Sequence, residues 1–155
     1  MTWDEMFMLM AQAVAMKSKD LSTKVGAVIV DTSNKVRSVG YNGFPRGMND
    51  DIEERHQRPL KYAYTEHAER NALYNAETSL TGCTIYVTSL LPCYDCARGI
   101  IQAGITRVAV ESMTVPERWK ESTDISLNMF SETGVTVVEV GAIGYEVRRI
   151  DENCS

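Results

Sequence analysis

Short β-rich segments alternate with longer helical segments along most of this 155-residue chain. In chain order, the pattern predicts helix, strand, strand, helix, strand, helix, strand, helix and strand. Strands that alternate with helices of about ten or more residues imply right-handed crossovers, which place helices on both faces of one sheet. We therefore expect an α/β fold: a three-layer α/β/α sandwich around a five-stranded mixed sheet, with an antiparallel hairpin at one end. The length fits a single domain, 1–155.

The bounds of these elements follow from hydrophobic spacing and turn residues. Thr2 and Glu5 have the spacing of a capping box, and the residues after them predict the first helix. Further helices are predicted over 65–76, 93–103 (ended by Gly104) and 116–132, and strands over 25–30, 36–41, 84–88, 107–110 and 135–140. The polar insertion at about 43–64 has no periodicity and is long for a connection, which predicts a functional loop. The tail from about 141 is expected to fray.

Composition and charge narrow the classes of function. There are 16 Lys and Arg against 21 Asp and Glu, a net charge of −5, which disfavours nucleic acid or an anionic membrane as a partner. No apolar run approaches the roughly 20 residues that span a bilayer. Asp4 and Glu5 lie where a secretory signal would carry positive charge. We expect a cytoplasmic protein with small-molecule ligands, no nucleic-acid partner and no membrane partner.

Two short motifs carry the chemistry: His-Ala-Glu at 67–69 and Pro-Cys-Tyr-Asp-Cys at 92–96. Their combination is the signature of zinc deaminases, and both fall at predicted helix starts. There, exposed N–H groups and the helix dipole favour the thiolate form of both cysteines. His67, Cys93 and Cys96 supply three zinc ligands and leave a fourth position for water, as catalytic sites do. Glu69 can accept that water's proton and return it to a ring nitrogen and a leaving amine.

Taken singly, these residues also have interpretations other than a metal site. A Cys-x-x-Cys alone is as compatible with a redox pair as with a metal site, and a lone histidine is usually satisfied or solvent-facing. The pairing of the two motifs favours the metal. We expect Cys83 to be a small buried hydrophobe, Cys154 to be an incidental free cysteine and His56 to be exposed.

At these motifs the sequence resembles the cytidine/deoxycytidylate deaminase superfamily and, more narrowly, the deoxycytidylate (dCMP) deaminases. The resemblance covers residue 4 to about 140 and rests on the stretches 18–20, 24–27, 40–47, 67–72, 92–97 and 101–105. The zinc motifs fit any member of the superfamily, whereas Gly-Tyr-Asn-Gly-x-Pro from Gly40 narrows the interpretation to dCMP deaminases. The resemblance implies a cytidine deaminase-like fold and zinc-dependent hydrolysis of dCMP to dUMP, which supplies dUMP for thymidylate synthesis.

The resemblance also assigns roles to residues. It implies one catalytic zinc per chain on His67, Cys93 and Cys96, with Glu69 as the proton shuttle. Asn42 is implied to bind the sugar, and its alternative is a turn residue before the next glycine. For the 5′-phosphate, the first candidate is Lys24, and the weaker ones are Arg46, Arg98 and Arg118. The insertion contains no cysteine, so a second, structural zinc is not expected.

Regulation and assembly are implied by the resemblance alone. It implies a homohexamer that is activated by dCTP with Mg²⁺ and inhibited by dTTP. The implied regulatory residues are Gly40, Tyr41, Asn42, Gly43 and Arg46. The alternatives are another nucleotide or nucleobase deaminase, including one that uses dCTP or a tRNA adenosine deaminase, and a catalytically idle nucleotide-sensing zinc domain. The tRNA enzyme would need a basic surface, and the idle domain would lack Glu69.

Overall fold

The computed structural model of the chain describes residues 1–144, so Cys154 and most of the tail that was expected to fray lie outside the described residues. The elements, in chain order, are α1 (Trp3–Ala15), β1 (Gly26–Val30), β2 (Val36–Tyr41), a 3₁₀ turn (Glu53–His56), α2 (Leu60–Tyr64), α3 (Ala68–Asn75), β3 (Thr84–Val87), α4 (Tyr94–Gln102), β4 (Arg107–Val110), α5 (Glu117–Thr133) and β5 (Thr136–Glu139). The predicted order of five strands and four main helices is confirmed.

Two details of the predicted elements were wrong. The insertion at 43–64, expected to be a functional loop without periodic structure, contains the 3₁₀ turn and α2. Helix α3 begins at Ala68 rather than at Thr65, because Thr65 and His67 have extended backbone conformations (ψ of 121° and 151°). Glu66, between them, is hydrogen-bonded through its backbone to Gly43. The 3₁₀ turn and α2 escaped prediction because short polar helices lack the hydrophobic period that reveals longer ones.

The five strands form one mixed sheet in the order β2-β1-β3-β4-β5. Strand β1 is antiparallel to both β2 and β3, whereas β3, β4 and β5 run parallel to one another. The predicted hairpin at one end of the sheet is therefore confirmed, with β2 as the edge strand. The carboxyl ends of the parallel strands lead into the helices that follow, the usual location of sites in open α/β sheets.

Helices cover both faces of the sheet, which confirms the three layers. On one face lies α1, whose Phe7, Met8 and Ala11 pack on residues of β1, β3 and β4. Thr2 and Glu5 cap this helix reciprocally, as their spacing predicts. The other face is covered by α3, α4 and α5, whose buried residues share one core with Ala27, Ile29, Ile85, Val87, Val108 and Val110. None of the described helices is long and apolar enough to cross a membrane.

Candidate metal centre and adjoining cavity

The two sequence motifs meet where α3 and α4 begin. His67 is the N-cap of α3 and Cys93 is the N-cap of α4, and both have extended backbone conformations that turn their side chains toward the same space. Cys96 follows in the first turn of α4. His67 Nδ1 lies 3.5 Å from Cys93 Sγ and 3.4 Å from Cys96 Sγ. The structure thus brings together all three predicted ligands.

The donor set and its spacing fit zinc. Zn–S bonds of ~2.3 Å and Zn–N bonds of ~2.0–2.1 Å in a tetrahedron place N and S about 3.6 Å apart. The two N–S distances in this group are 3.5 and 3.4 Å. Within residues 1–144 it is the one group of three or more His, Cys, Asp or Glu side chains that could hold a metal ion. Three protein ligands leave one position of a tetrahedron open, which is typical of catalytic zinc.

The cysteines and the histidine influence one another's protonation. Hydrogen bonds with Cys96 and His67 lower the pKa of the Cys93 thiol to about 4, although burial opposes this. The pKa of Cys96 is raised, because its proton is shared with Cys93 and because it is buried. The contact with Cys93 raises the pKa of His67. A dication bound by these atoms would displace their protons, so metal binding should be coupled to pH.

Glu69 lies in the first turn of α3, two residues after His67, and is buried with 5% of its surface exposed. Burial raises the pKa of its carboxyl, while the His67 charge lowers it. A raised pKa suits a carboxylate that takes up and releases a proton near neutral pH.

Glu66 and Arg70 flank the metal group, and sequence reasoning missed both. One Glu66 carboxylate oxygen accepts hydrogen bonds from the His67 backbone N–H (3.0 Å) and from Arg70 Nε (2.6 Å). Burial lowers the pKa of Arg70, but Glu66 and the cysteine sulfurs raise it, so the guanidinium stays charged. This pair fixes the backbone of His67. Its i,i+4 spacing was the available signal in the sequence.

Asn42 is buried, with 7% of its surface exposed, and its amide is engaged inside the chain. Its Oδ1 accepts from the Val25 N–H at 2.8 Å, and its Nδ2 donates to the Thr23 carbonyl at 2.9 Å. Asn42 therefore fixes the loop before β1 to the end of β2. An amide has two donor hydrogens and two acceptor lone pairs, so each function retains capacity for one more bond.

The predicted phosphate-binding cations are dispersed over the surface. Lys24 Nζ donates to the Ser18 carbonyl, and Arg46 donates to Asn75 Oδ1 at 2.6 Å. Arg98 pairs with Asp95 in α4, and the guanidinium of Arg118 lies over the ring of Trp119. The structure does not bring these four residues together.

A cavity of about 300 Å³ lies beside the end of β2. Tyr41, Asn42 and Gly43, three of the five predicted regulatory residues, contribute to its lining, whereas Gly40 and Arg46 do not. The remaining lining residues are Lys17, Lys19, Asp20, Phe44, Asp50, His56, Lys61 and Thr65. Three lysines and two aspartates give the lining an excess of one positive charge. The cavity is thus a cationic region in a protein of net charge −5.

Lys61, which sequence reasoning also missed, joins α2 to the loop after α1. Its side chain is buried, and Nζ lies 2.8–2.9 Å from both carboxylate oxygens of Asp20 and 2.6 Å from Ser22 Oγ. Burial raises the pKa of Asp20, but hydrogen bonds from Lys61 and from two backbone N–H groups lower it by more. The net result is a pKa lowered to about 2. The insertion is therefore anchored beside the cavity by an ion pair.

The expectation for His56 was wrong, whereas the expectation for Cys83 is confirmed. His56 was expected to be exposed, and this was wrong: it is half-buried, its ring lies 4.8 Å from that of Phe44, and Nε2 bonds to the Asp50 carbonyl at 2.6 Å. The 3₁₀ turn folds it back over the cavity. Cys83 is buried in the core, as expected, and burial raises the pKa of its thiol.

Comparison with known proteins identifies close relatives. The family model described as "Cytidine and deoxycytidylate deaminase zinc-binding region" matches residues 1–112. An uncharacterised deaminase in the luxG 3′ region of Aliivibrio fischeri is 44% identical over 137 residues, covering 87% of this chain and 91% of that protein. The deoxycytidylate deaminase of Homo sapiens is 39% identical over 142 residues, covering 86% and 77%.

A solved structure matches the fold over most of both chains. The dCMP deaminase from the cyanophage S-TIM5, in complex with dCMP and dUMP, superposes with a TM-score of 0.71 at 27% identity. The match covers 88% of this chain and 95% of the phage chain.

Proposed function

Because the chain belongs to the cytidine and deoxycytidylate deaminase family and is a hydrolytic deaminase, we propose that its reaction is the hydrolysis of dCMP to dUMP and ammonia. The observation that carries this proposal is the His67, Cys93 and Cys96 group with buried Glu69 two residues after His67, on a fold similar to that of a phage enzyme in complex with dCMP and dUMP. The product dUMP would supply thymidylate synthesis.

The metal site would hold one zinc ion per chain, bound by His67 Nδ1 and the two cysteine sulfurs. When bound there, zinc would make a water molecule acidic enough to act as a nucleophile at neutral pH. Glu69 takes a proton from the attacking water and gives it to N3 of the cytosine ring as the oxygen bonds to C4. The Glu69 carboxylate then takes the proton of the new hydroxyl at C4 and passes it to the departing amino group, which leaves as ammonia while C4 becomes a carbonyl. One water is consumed, and Glu69 ends in its starting state.

Asn42 is the proposed sugar ligand. Its bonds to Val25 and Thr23 hold the amide rigidly, and one donor hydrogen and one lone pair remain for a sugar hydroxyl. A side chain that is already fixed loses little rotamer entropy when the substrate binds. Lys24, next to this loop, remains the proposed ligand of the 5′-phosphate, which its exposed ammonium could reach by exchanging the Ser18 carbonyl for phosphate oxygens.

We propose the cationic cavity as the regulatory nucleotide site. A triphosphate carries several negative charges, and the lining offers three lysines, of which Lys19 is paired with Asp50 and Lys61 with Asp20. Within residues 1–144, Lys17 has no carboxylate partner, so its ammonium is available to a ligand. dCTP with Mg²⁺ would favour the active arrangement and dTTP the inactive one, each through its difference in affinity. A homohexamer in the cytoplasm is proposed on family grounds.

One assay tests the substrate proposal directly. Purified protein is incubated separately with dCMP, CMP, dCTP, cytidine and adenosine-containing RNA, and ammonia release and base change are measured. We expect release from dCMP, and release that is roughly 10²–10⁴-fold slower in the matched Glu69→Gln protein. Turnover of RNA alone would favour the tRNA-deaminase alternative, and zinc binding without turnover would favour the idle sensor.

A second assay tests regulation. dCMP kinetics are measured with and without dCTP plus Mg²⁺, and with and without dTTP. dCTP should shift the substrate curve to lower concentration and dTTP to higher concentration. Because coupling between binding sites is reciprocal, dCMP should tighten dCTP binding to the Glu69→Gln protein by the same factor. Hyperbolic curves that neither nucleotide moves would refute the regulatory proposal and leave the deaminase assignment unaffected.

A further inference from the structure

Helix α3 lies along the outer side of β2, the edge strand of the sheet. Asn71 Nδ2 donates to the Tyr41 carbonyl at 2.8 Å, and Asn75 Nδ2 donates to the Val39 carbonyl at 2.9 Å. In the opposite direction, Ser38 Oγ donates to the Ala72 carbonyl at 2.6 Å. An edge strand leaves backbone groups without a strand partner. Here, side chains of the helix satisfy two of them.

Asn71 and Asn75 differ in which turn of α3 they attach to β2. The Asn71 backbone N–H donates to the His67 carbonyl at 2.9 Å, the bond that closes the first turn of α3. That turn contains Glu69. Asn75 is at the far end of the helix, one turn further from the metal group. Only Asn71 therefore joins β2 to the turn that carries the proton shuttle.

The strand end that Asn71 holds is also a wall of the cationic cavity. Tyr41 lines this cavity, and so does Gly43, which exchanges two backbone hydrogen bonds with Glu66 at 3.1 and 2.8 Å. Glu66 in turn bonds the His67 N–H. The cavity wall and the first turn of α3 are thus connected by two short hydrogen-bond routes, one through Glu66 and one through Asn71.

The geometry points to Asn71 as a positioning residue, which acts through Glu69 by holding the first turn of α3 in place against the Tyr41 end of β2. This inference rests on the proposed deamination for its kinetic test. A misplacement of about 1 Å in a catalytic group can cost on the order of 100-fold in rate. The loss should appear in kcat, because Asn71 orients the proton shuttle and is not itself a proposed ligand of dCMP.

Asn71→Asp and Asn75→Asp form a pair of variants that differ, besides their position, in one contact: Asn75 Oδ1 also accepts a hydrogen bond from Arg46, which a carboxylate would retain. Each replaces an amide that donates to a β2 carbonyl with a carboxylate that cannot donate and that faces the carbonyl oxygen. We expect kcat for dCMP to fall by about 10-fold or more in Asn71→Asp, with KM nearly unchanged, and to stay near the wild-type value in Asn75→Asp. Equal losses in both variants, or a loss confined to KM, would overturn the proposal, because a merely structural bond predicts equivalence.

Hydrogen exchange provides a readout that needs no substrate. The backbone amide at position 71 should be less protected in Asn71→Asp than in Asn75→Asp, each measured relative to its own intrinsic exchange rate. The reason is that local opening of the first turn becomes easier when the bond to β2 is lost. Unchanged exchange there would overturn the proposal even if dCMP is not a substrate. If wild-type protein does not turn over dCMP, the proposed function fails, and this comparison still decides the role of Asn71. Should either aspartate variant fail to fold, Asn71→Ala and Asn75→Ala give the same comparison without an added charge.

Discussion

Replacing Gly40 with alanine should disturb α3, the helix that carries Glu69, the proposed proton shuttle. A Cβ built on Gly40 would lie 2.8 Å from the carbonyl carbon of Asn71, and closer still to Ala72 N and Ala68 O. Ordinary contact begins at 3.4 Å, and all three neighbours are backbone atoms that no rotamer change can move. Strand β2 and helix α3 would have to separate by about 1 Å, and overpacking of this kind costs about 1–3 kcal/mol.

Two measurements on Gly40→Ala check this reasoning. Thermal unfolding should show a Tm lower by roughly 2–12 °C, since each kcal/mol shifts the Tm of a chain of this size by about 2–4 °C. Deamination of dCMP should fall by up to about 100-fold, because the first turn of α3 moves. Gly43→Ala is the matched control, since a Cβ there meets nothing within 4 Å. A Gly40→Ala protein with wild-type Tm and turnover would refute the close-packing argument.

Three other groups can be tested one at a time. His67→Ala or Cys93→Ser should lose both zinc and deamination, because each removes one of three protein ligands, and stoichiometric zinc in Cys93→Ser would contradict the ligand set. Glu69→Gln should retain zinc while turnover falls roughly 10²–10⁴-fold, and near-normal turnover would assign the proton to another group. The Asp20 pKa falls from 3.8 to about 2 on folding, so this carboxylate stabilises the protein above about pH 4. About 2 kcal/mol should be lost as the pH falls through 2, measured by denaturant unfolding. Asp20→Asn should lack this component, and identical pH slopes would refute it.

The metal group could be predicted because its determinants are local. A Cys-x-x-Cys at a helix start brings Cys93 and Cys96 onto one turn in any fold, and His67 and Glu69 are likewise separated by only two residues. What spacing could not provide was the distance between the two motifs, which depends on α3 and α4 beginning side by side. The resemblance to known deaminases supplied that step, and the structure places the two motifs side by side, with N–S distances of 3.4 and 3.5 Å.

The cavity could not be predicted from the sequence, for a physical reason. Lys61 lies in a segment without hydrophobic period, where a lysine is almost always exposed. Only tertiary structure brings it to Asp20, 41 residues earlier in the chain. Asn42 posed the same difficulty, because its bonds to Thr23 and Val25 depend on the pairing of β1 with β2. Buried polar groups find partners across the fold, and such pairings leave no local pattern.

The Gly-Tyr-Asn-Gly stretch serves two physical purposes that the sequence shows as one motif. Gly40 faces α3, where the absence of a side chain lets strand and helix approach to backbone contact. Tyr41 and Gly43 line the cavity and bond to Asn71 and Glu66 through their backbones. Because both partners flank the turn that holds Glu69, a ligand that moved this strand end would also move this carboxylate. The proposed regulation through the cavity therefore requires only a small displacement of β2 against α3.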